Sequence, residues 1–194
     1  MVAGAQGVTE ISPLGRAIAL GLMALSLVQA QPPPREPYVV ASLLLFAAGL
    51  LIEWESFPLT AILVALGHLL LVIFFLRHVR RRRWFIPLGL AALAYTIAAL
   101  AVLLLWSWPG WVAPTLVLAG FILAVVAAAA ASNLRWAALG AAVSALGHLV
   151  AATRVRDWPD ASISNDTTWT LFFTGTAIMV ASAIRGPVAP APRG

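Results

Sequence analysis

The sequence predicts an all-α, polytopic transmembrane helical bundle of about seven spans, on three observations. Of its 194 residues, 62% are hydrophobic and 10% charged, where a soluble domain carries about a quarter charged residues. Uncharged runs of the ~20 residues needed to cross a bilayer recur along the whole chain. The arginines, finally, collect on alternate connections between those runs, as the positive-inside rule requires.

Taken in order, the first span covers 14–30 and ends at Gln31-Pro32-Pro33-Pro34-Arg35-Glu36-Pro37, because prolines without an N–H cannot continue a helix. The second, 38–52, stops at Glu53-Trp54-Glu55-Ser56, and the third, 57–76, at a basic run from Arg77 to Arg83. The fourth, 84–106, closes at Ser107-Trp108-Pro109-Gly110. Spans 111–132 and 135–153 are separated by only a few residues around Asn133, too few for a crossover, so they are antiparallel neighbours. After the loop from Arg154 to Asp166 the last span runs 167–185. Residues 1–194 therefore read as one integral membrane domain.

Placing Arg77 and Arg80 to Arg83 in the cytoplasm fixes the rest. Seven crossings put the amino terminus outside and the carboxyl terminus inside. The inner side then holds nine of the twelve arginines against one acid, Glu36, and the outer side three arginines against six acids. All eight tryptophans fall at or near span ends, in the headgroup zone that indoles prefer. A competing reading takes Ala17 to Leu27 as a signal-peptide core cleaved after Ala30. Cleavage would leave Gln31 outside and carry the arginine run outside too, against the charge rule.

Absences narrow the chemistry. Every basic residue is arginine, with no lysine and no cysteine. That excludes lysine Schiff bases, thiol nucleophiles, disulfides and thiolate-bound metals. The net charge of +5 arises from topology signals rather than from a nucleic-acid site. The Arg80 to Arg83 cluster is expected to meet anionic headgroups, at ~1 kcal/mol per arginine. The expected partners are therefore membrane lipid and not nucleic acid, and the oligomeric state is open.

Ala-Leu-Gly-His-Leu occurs twice, at 65–69 and 145–149. Three crossings separate the copies, so they run in opposite directions, as in an inverted three-plus-three repeat with one span added. His68 and His148 are the ionisable side chains that lie well inside spans, where a group must face protein or water and find a partner. Three roles stay open: metal or haem ligands, a catalytic base or proton shuttle, and structural hydrogen bonding across helices made close by Gly67 and Gly147. Two histidines alone make an incomplete metal site, so no metal and no cofactor is assigned. Further polar groups within reach include Tyr95, Ser144 and Thr174. Gly140, Ser144 and Gly147 give the sixth span a small-residue face for close packing. Glu53 and Glu55 stand at the outer mouth of the second span, where solvated loop acids are ordinary and a cleft acid reads the same way.

The order of motifs resembles that of the YhhN-type lysoplasmalogenase family of polytopic membrane hydrolases. Ser12-Pro13-Leu14 is similar to its Lys-Pro-Leu opening, and Phe46-Ala47-Ala48-Gly49-Leu50-Leu51 to its Leu-Leu-Gly-Asp step. Leu66-Gly67-His68-Leu69-Leu70 resembles its Gly-His-Leu helix. Gly140-Ala141 through Gly147-His148 resembles the later Gly-Ala to Ser-Asp helix, and Asn165-Asp166 with the last span resembles its end. The resemblance implies hydrolysis of the vinyl ether bond of a lysoplasmalogen in an intramembrane cavity. It places Leu50 and His148 where the family has aspartates and retains only His68 between them. Glu53, one helical turn from Leu50, is positioned to substitute. The expected catalytic residues are thus His68, His148 and Glu53, with Tyr95, Ser144 and Thr174 against substrate. The alternative is a non-enzymatic membrane subunit or carrier whose histidine pair contacts a cofactor, an ion or a partner helix.

Overall fold

The computed structural model describes residues 13–30, 36–52, 55–79, 86–91, 93, 95, 97, 112–152 and 166–186. Regular structure among them is helical: α1 Pro13–Gln29, α2 Pro37–Leu51, α3 Phe57–Leu76, α4 described at 86–91, 93, 95 and 97, α5 Val112–Ala131, α6 Ala137–Ala152 and α7 Asp166–Arg185. Each helix falls on a predicted span. By length and composition, two of the described helices are long and apolar enough to cross a membrane, over Leu59–Leu76 and Thr167–Arg185. The apolar helical stretches Leu14–Gln29, Pro37–Leu51, Leu116–Ala131 and Ala137–Ala151 are shorter than that test requires. The punctuation that delimits α1, α2 and α6 leaves them 15 to 17 residues, about 22–26 Å at 1.5 Å per residue against a hydrocarbon core of ~30 Å.

Local sequence sets the helix ends. Pro37 begins α2, where a missing N–H costs nothing. Ser56 caps α3 by accepting from the Leu59 amide at 3.4 Å. Gly186, at φ 68°, closes α7 in the left-handed conformation that glycine adopts freely. Arg185 lies in the last turn, against the negative end of the helix dipole.

Packing runs in sequence order and then closes: α1 on α2, α2 on α3, α3 on α5, α5 on α6 and α6 on α7, with α7 returning to α1. The core contains Leu20 and Leu27 of α1, Val39, Leu43 and Phe46 of α2, Phe74 and Phe75 of α3, and Phe172 and Met179 of α7. Between α2 and α3, the Thr60 hydroxyl donates to the Gly49 carbonyl at 3.2 Å. At one end, Val79 and Ser132 form an isolated bridge and the Asn133 amide donates to the His78 carbonyl at 2.9 Å, fastening the end of α3 to the α5–α6 connection.

The α6–α7 interface is the closest. A Cβ on Gly140 would lie 2.8 Å from the Gly175 carbonyl oxygen, and one on Gly147 would lie 2.9 Å from the Phe172 nitrogen and the Thr168 oxygen. A Cβ on Gly175 would collide with the Ser144 amide. These backbones touch without intervening side chains, the arrangement that small residues at helical spacing permit.

Candidate functional site

His68 and His148 meet. α3 and α6 bring their rings to a centroid distance of 4.8 Å with planes at 76°. His68 is 3% exposed and His148 partly buried. In each ring Nδ1 faces the carbonyl one turn back: His68 Nδ1 lies 2.7 Å from the Val64 oxygen and His148 Nδ1 2.9 Å from the Ser144 oxygen. A carbonyl only accepts, so Nδ1–H donates in both rings. In the neutral ring that leaves a lone pair on Nε2, and neither Nε2 has a hydrogen-bond partner among the described residues. The helix backbone thus fixes tautomer and ring plane while leaving the basic nitrogens available.

Aromatic rings frame the pair. Phe46 of α2 lies 4.9 Å from His68, Phe172 of α7 lies 5.3 Å from His148, and the two phenylalanines meet edge to face at 5.5 Å. The frame continues through Trp169, 5.5 Å from Phe172, to Arg16 of α1, whose guanidinium carbon sits 4.9 Å over the indole. Arg16 is 4% exposed. An almost fully buried guanidinium is retained only where its charge is met, here in part by the face of Trp169.

The two Gly-His steps share a local geometry but differ in neighbour order. A Cβ on Gly67 would lie 2.5 Å from Phe46 of the preceding helix, whereas Gly147 abuts Thr168 and Phe172 of the following one. A strict inverted three-plus-three repeat would place α5 against Gly147. The observed partner is α7, so the local likeness relates α2–α3 to α7–α6.

The other expected site residues are placed as follows. Ser144 is 4% exposed, and its carbonyl holds His148. Tyr95 belongs to a different contact, its ring stacked beside Gly120 of α5. Thr174, expected against substrate, is on the exposed face of α7, as is Thr170. Glu53 and the Arg80 to Arg83 cluster lie outside the described residues. Leu50 is 7% exposed, within the core that contains Phe46.

Sequence reasoning missed Phe46, Trp169, Phe172 and Arg16 as the frame. The aromatics carry no signal that separates them from ordinary core residues. Arg16 does, since a charge two residues inside an apolar span is itself a marker.

Among the described residues no group of three or more histidine, cysteine or acidic side chains is placed to hold a metal. The arrangement does supply two adjacent bases of fixed tautomer in an apolar, aromatic surround, with a buried cation two rings away. No family model matches this chain, and neither a curated protein nor a solved structure shows significant similarity to it.

Proposed function

We propose that this chain is a seven-span membrane protein, amino terminus outside and carboxyl terminus cytoplasmic, whose paired imidazoles act on a single-chain ether lipid of the lysoplasmalogen type. Support for the membrane setting comes from helix surfaces. α1 buries Leu20, Ala24 and Leu27 yet exposes Leu14, Ile18, Leu22 and Leu25, and α3 likewise exposes Leu59, Ile62, Leu66 and Leu69. A helix apolar on every side and not enclosed by protein has lipid as its natural surround.

The observation that carries the chemistry is the 4.8 Å contact of two imidazoles from distant helices, each with Nδ1 committed and Nε2 uncommitted. Protonation of one ring at Nε2 makes it an acid beside a neutral ring whose Nε2 is a base. In vinyl ether hydrolysis the protonated ring delivers its proton to the outer vinyl carbon. The neutral ring takes a proton from the water that adds to the carbon bearing the ether oxygen. The resulting hemiacetal breaks its C–O bond, releasing a fatty aldehyde and the glycerol hydroxyl. The aromatic frame excludes bulk water, and Arg16 lies on the side where a lipid phosphate would be met. Glu53 enters as the third catalytic residue of the resemblance, with Ser144 acting through His148.

The full chain in phosphatidylcholine nanodiscs, given lysoplasmalogen, should release aldehyde. His68→Ala and His148→Ala should each reduce the rate by about 10²–10⁴-fold while leaving the thermal unfolding profile near that of the parent. Parent and variants releasing aldehyde equally, or not at all, would defeat the hydrolase reading.

Leu50 favours a second reading, since a buried leucine where the resemblance has an acid cannot activate water. On that reading the chain is a non-enzymatic carrier or membrane subunit, and the histidines contact a cofactor, an ion or a partner helix. A cofactor iron held between them is a poor fit: ligands on opposite sides at about 2 Å would set the ring centroids roughly 6 Å apart, against 4.8 Å here. Lysoplasmalogen retained by the purified chain without turnover would select the carrier.

A further inference from the structure

A second feature lies away from the histidines, where the α5–α6 connection meets the end of α7. Trp136, Leu139, Ile178, Ala181, Ser182 and Arg185 line a groove of about 180 Å³ on the outer surface of α6 and α7. Its floor is apolar and its rim is cationic. Arg185 lines it directly, and the Arg135 guanidinium carbon stands 5.3 Å over the Trp136 ring. Both arginines are exposed, and neither forms an ion pair with an acid among the described residues.

Trp136 is held there by the backbone. It is the non-glycine residue with positive φ among the described residues, at 68°, a conformation that crowds Cβ and that a bulky aromatic seldom adopts. Two restraints fix the connection around it. Leu134 is buried, and the Ser182 hydroxyl, with one proton to give, is within hydrogen-bond reach of the Arg135 carbonyl and of the Ile178 carbonyl on its own helix. The chain is thereby pinned at the two residues before the indole, which stands 52% exposed at the groove.

We infer that this groove binds one anionic phospholipid, with a stretch of acyl chain along Leu139, Ile178 and Ala181 and the phosphate between Arg135 and Arg185 at the level of Trp136. Charge complementarity selects the occupant: two exposed guanidinium groups, neither in an ion pair among the described residues, stand at an apolar trough with no acid in its lining. Size agrees, since 180 Å³ holds roughly six water-sized groups, part of one acyl chain rather than a folded partner's side. The level agrees too, because indoles and arginines both favour the headgroup zone. The inference rests on the membrane placement proposed above and is independent of the histidine chemistry.

The experiment uses the full chain in phosphatidylcholine vesicles carrying increasing fractions of phosphatidylglycerol with brominated acyl chains, which quench nearby indoles. Flotation comes first. A chain that stays in the aqueous fraction overturns the membrane reading and this inference with it. In vesicles, brominated phosphatidylglycerol should quench a component of the fluorescence that Trp136→Phe removes, at lower mole fraction than brominated phosphatidylcholine. Arg185→Gln should weaken that preference about fivefold, and Arg135→Gln with Arg185→Gln about thirtyfold. High salt should weaken it further. Equal quenching by the two lipids, or a preference untouched by the double variant, overturns the inference alone. So does a Trp136 shielded from both lipids in a chain that runs as a dimer, which would make a second copy the occupant.

Discussion

The chain contains one pentapeptide twice, and the two copies are packed by different means. At Gly67 the close neighbour is a side chain, the Phe46 ring, while at Gly147 it is backbone, the Phe172 nitrogen and the Thr168 oxygen. Both steps present an imidazole to the same contact, and both tie Nδ1 to the carbonyl four residues back. The difference teaches that a Gly-His step orients its ring from within its own helix, whatever covers the glycine. What the neighbour decides is how much freedom the helix has to shift. Backbone against backbone cannot yield without moving a helix, whereas a ring can tilt within its frame.

That contrast can be broken by substitution. Gly175→Ala and Gly147→Ala force a Cβ into opposing backbone and should each cost about 3 kcal/mol, read as lost unfolding free energy in detergent. A loss under 1 kcal/mol at both would show that α6 and α7 are less tightly apposed than described. Gly67→Ala should cost less, about 1–2 kcal/mol, because its obstacle is the ring of Phe46. The double variant Gly67→Ala with Phe46→Leu should then be more stable than the sum of its two singles predicts. Strict additivity would remove the distinction between the two steps. The smallest effect is expected at the far end of α7. Ser182→Ala removes the tie to the Arg135 carbonyl and should cost about 1 kcal/mol while leaving aldehyde release unchanged, since it is remote from the imidazoles. A change in release rate with no change in stability would link that end to the site.

Much of the fold was legible. Predicted bounds for spans one, two, three, five, six and seven lie within two residues of the helices, because proline, arginine and acidic punctuation terminates helices locally. The small-residue face of Gly140, Ser144 and Gly147 was legible too, since spacing alone puts those positions on one side of a helix. The placement of His68 and His148 inside spans was legible, but their contact was not, because it depends on how α3 and α6 pack. Nor was their aromatic frame. α3 and α5 are apolar on nearly every side, and in such a helix no contrast of polar and apolar faces reveals which way it is turned. In α7 the hydroxyls misled in the same way. Thr174 read as a group within reach of substrate, yet it and Thr170 face outward while Thr168 and Thr176 are buried.

Composition and punctuation by themselves determined that the described chain is helical, where α1 to α3 and α5 to α7 begin and end, and that two imidazoles lie within helices, because each depends on backbone chemistry and side-chain type that act residue by residue. The rotation of each helix, the choice of α7 rather than α5 to cover Gly147, the stacking of Arg16 on Trp169 and the left-handed turn at Trp136 belong to the tertiary structure. They depend on which surfaces fit together across the bundle, and fit is a property of pairs of helices that no single segment encodes.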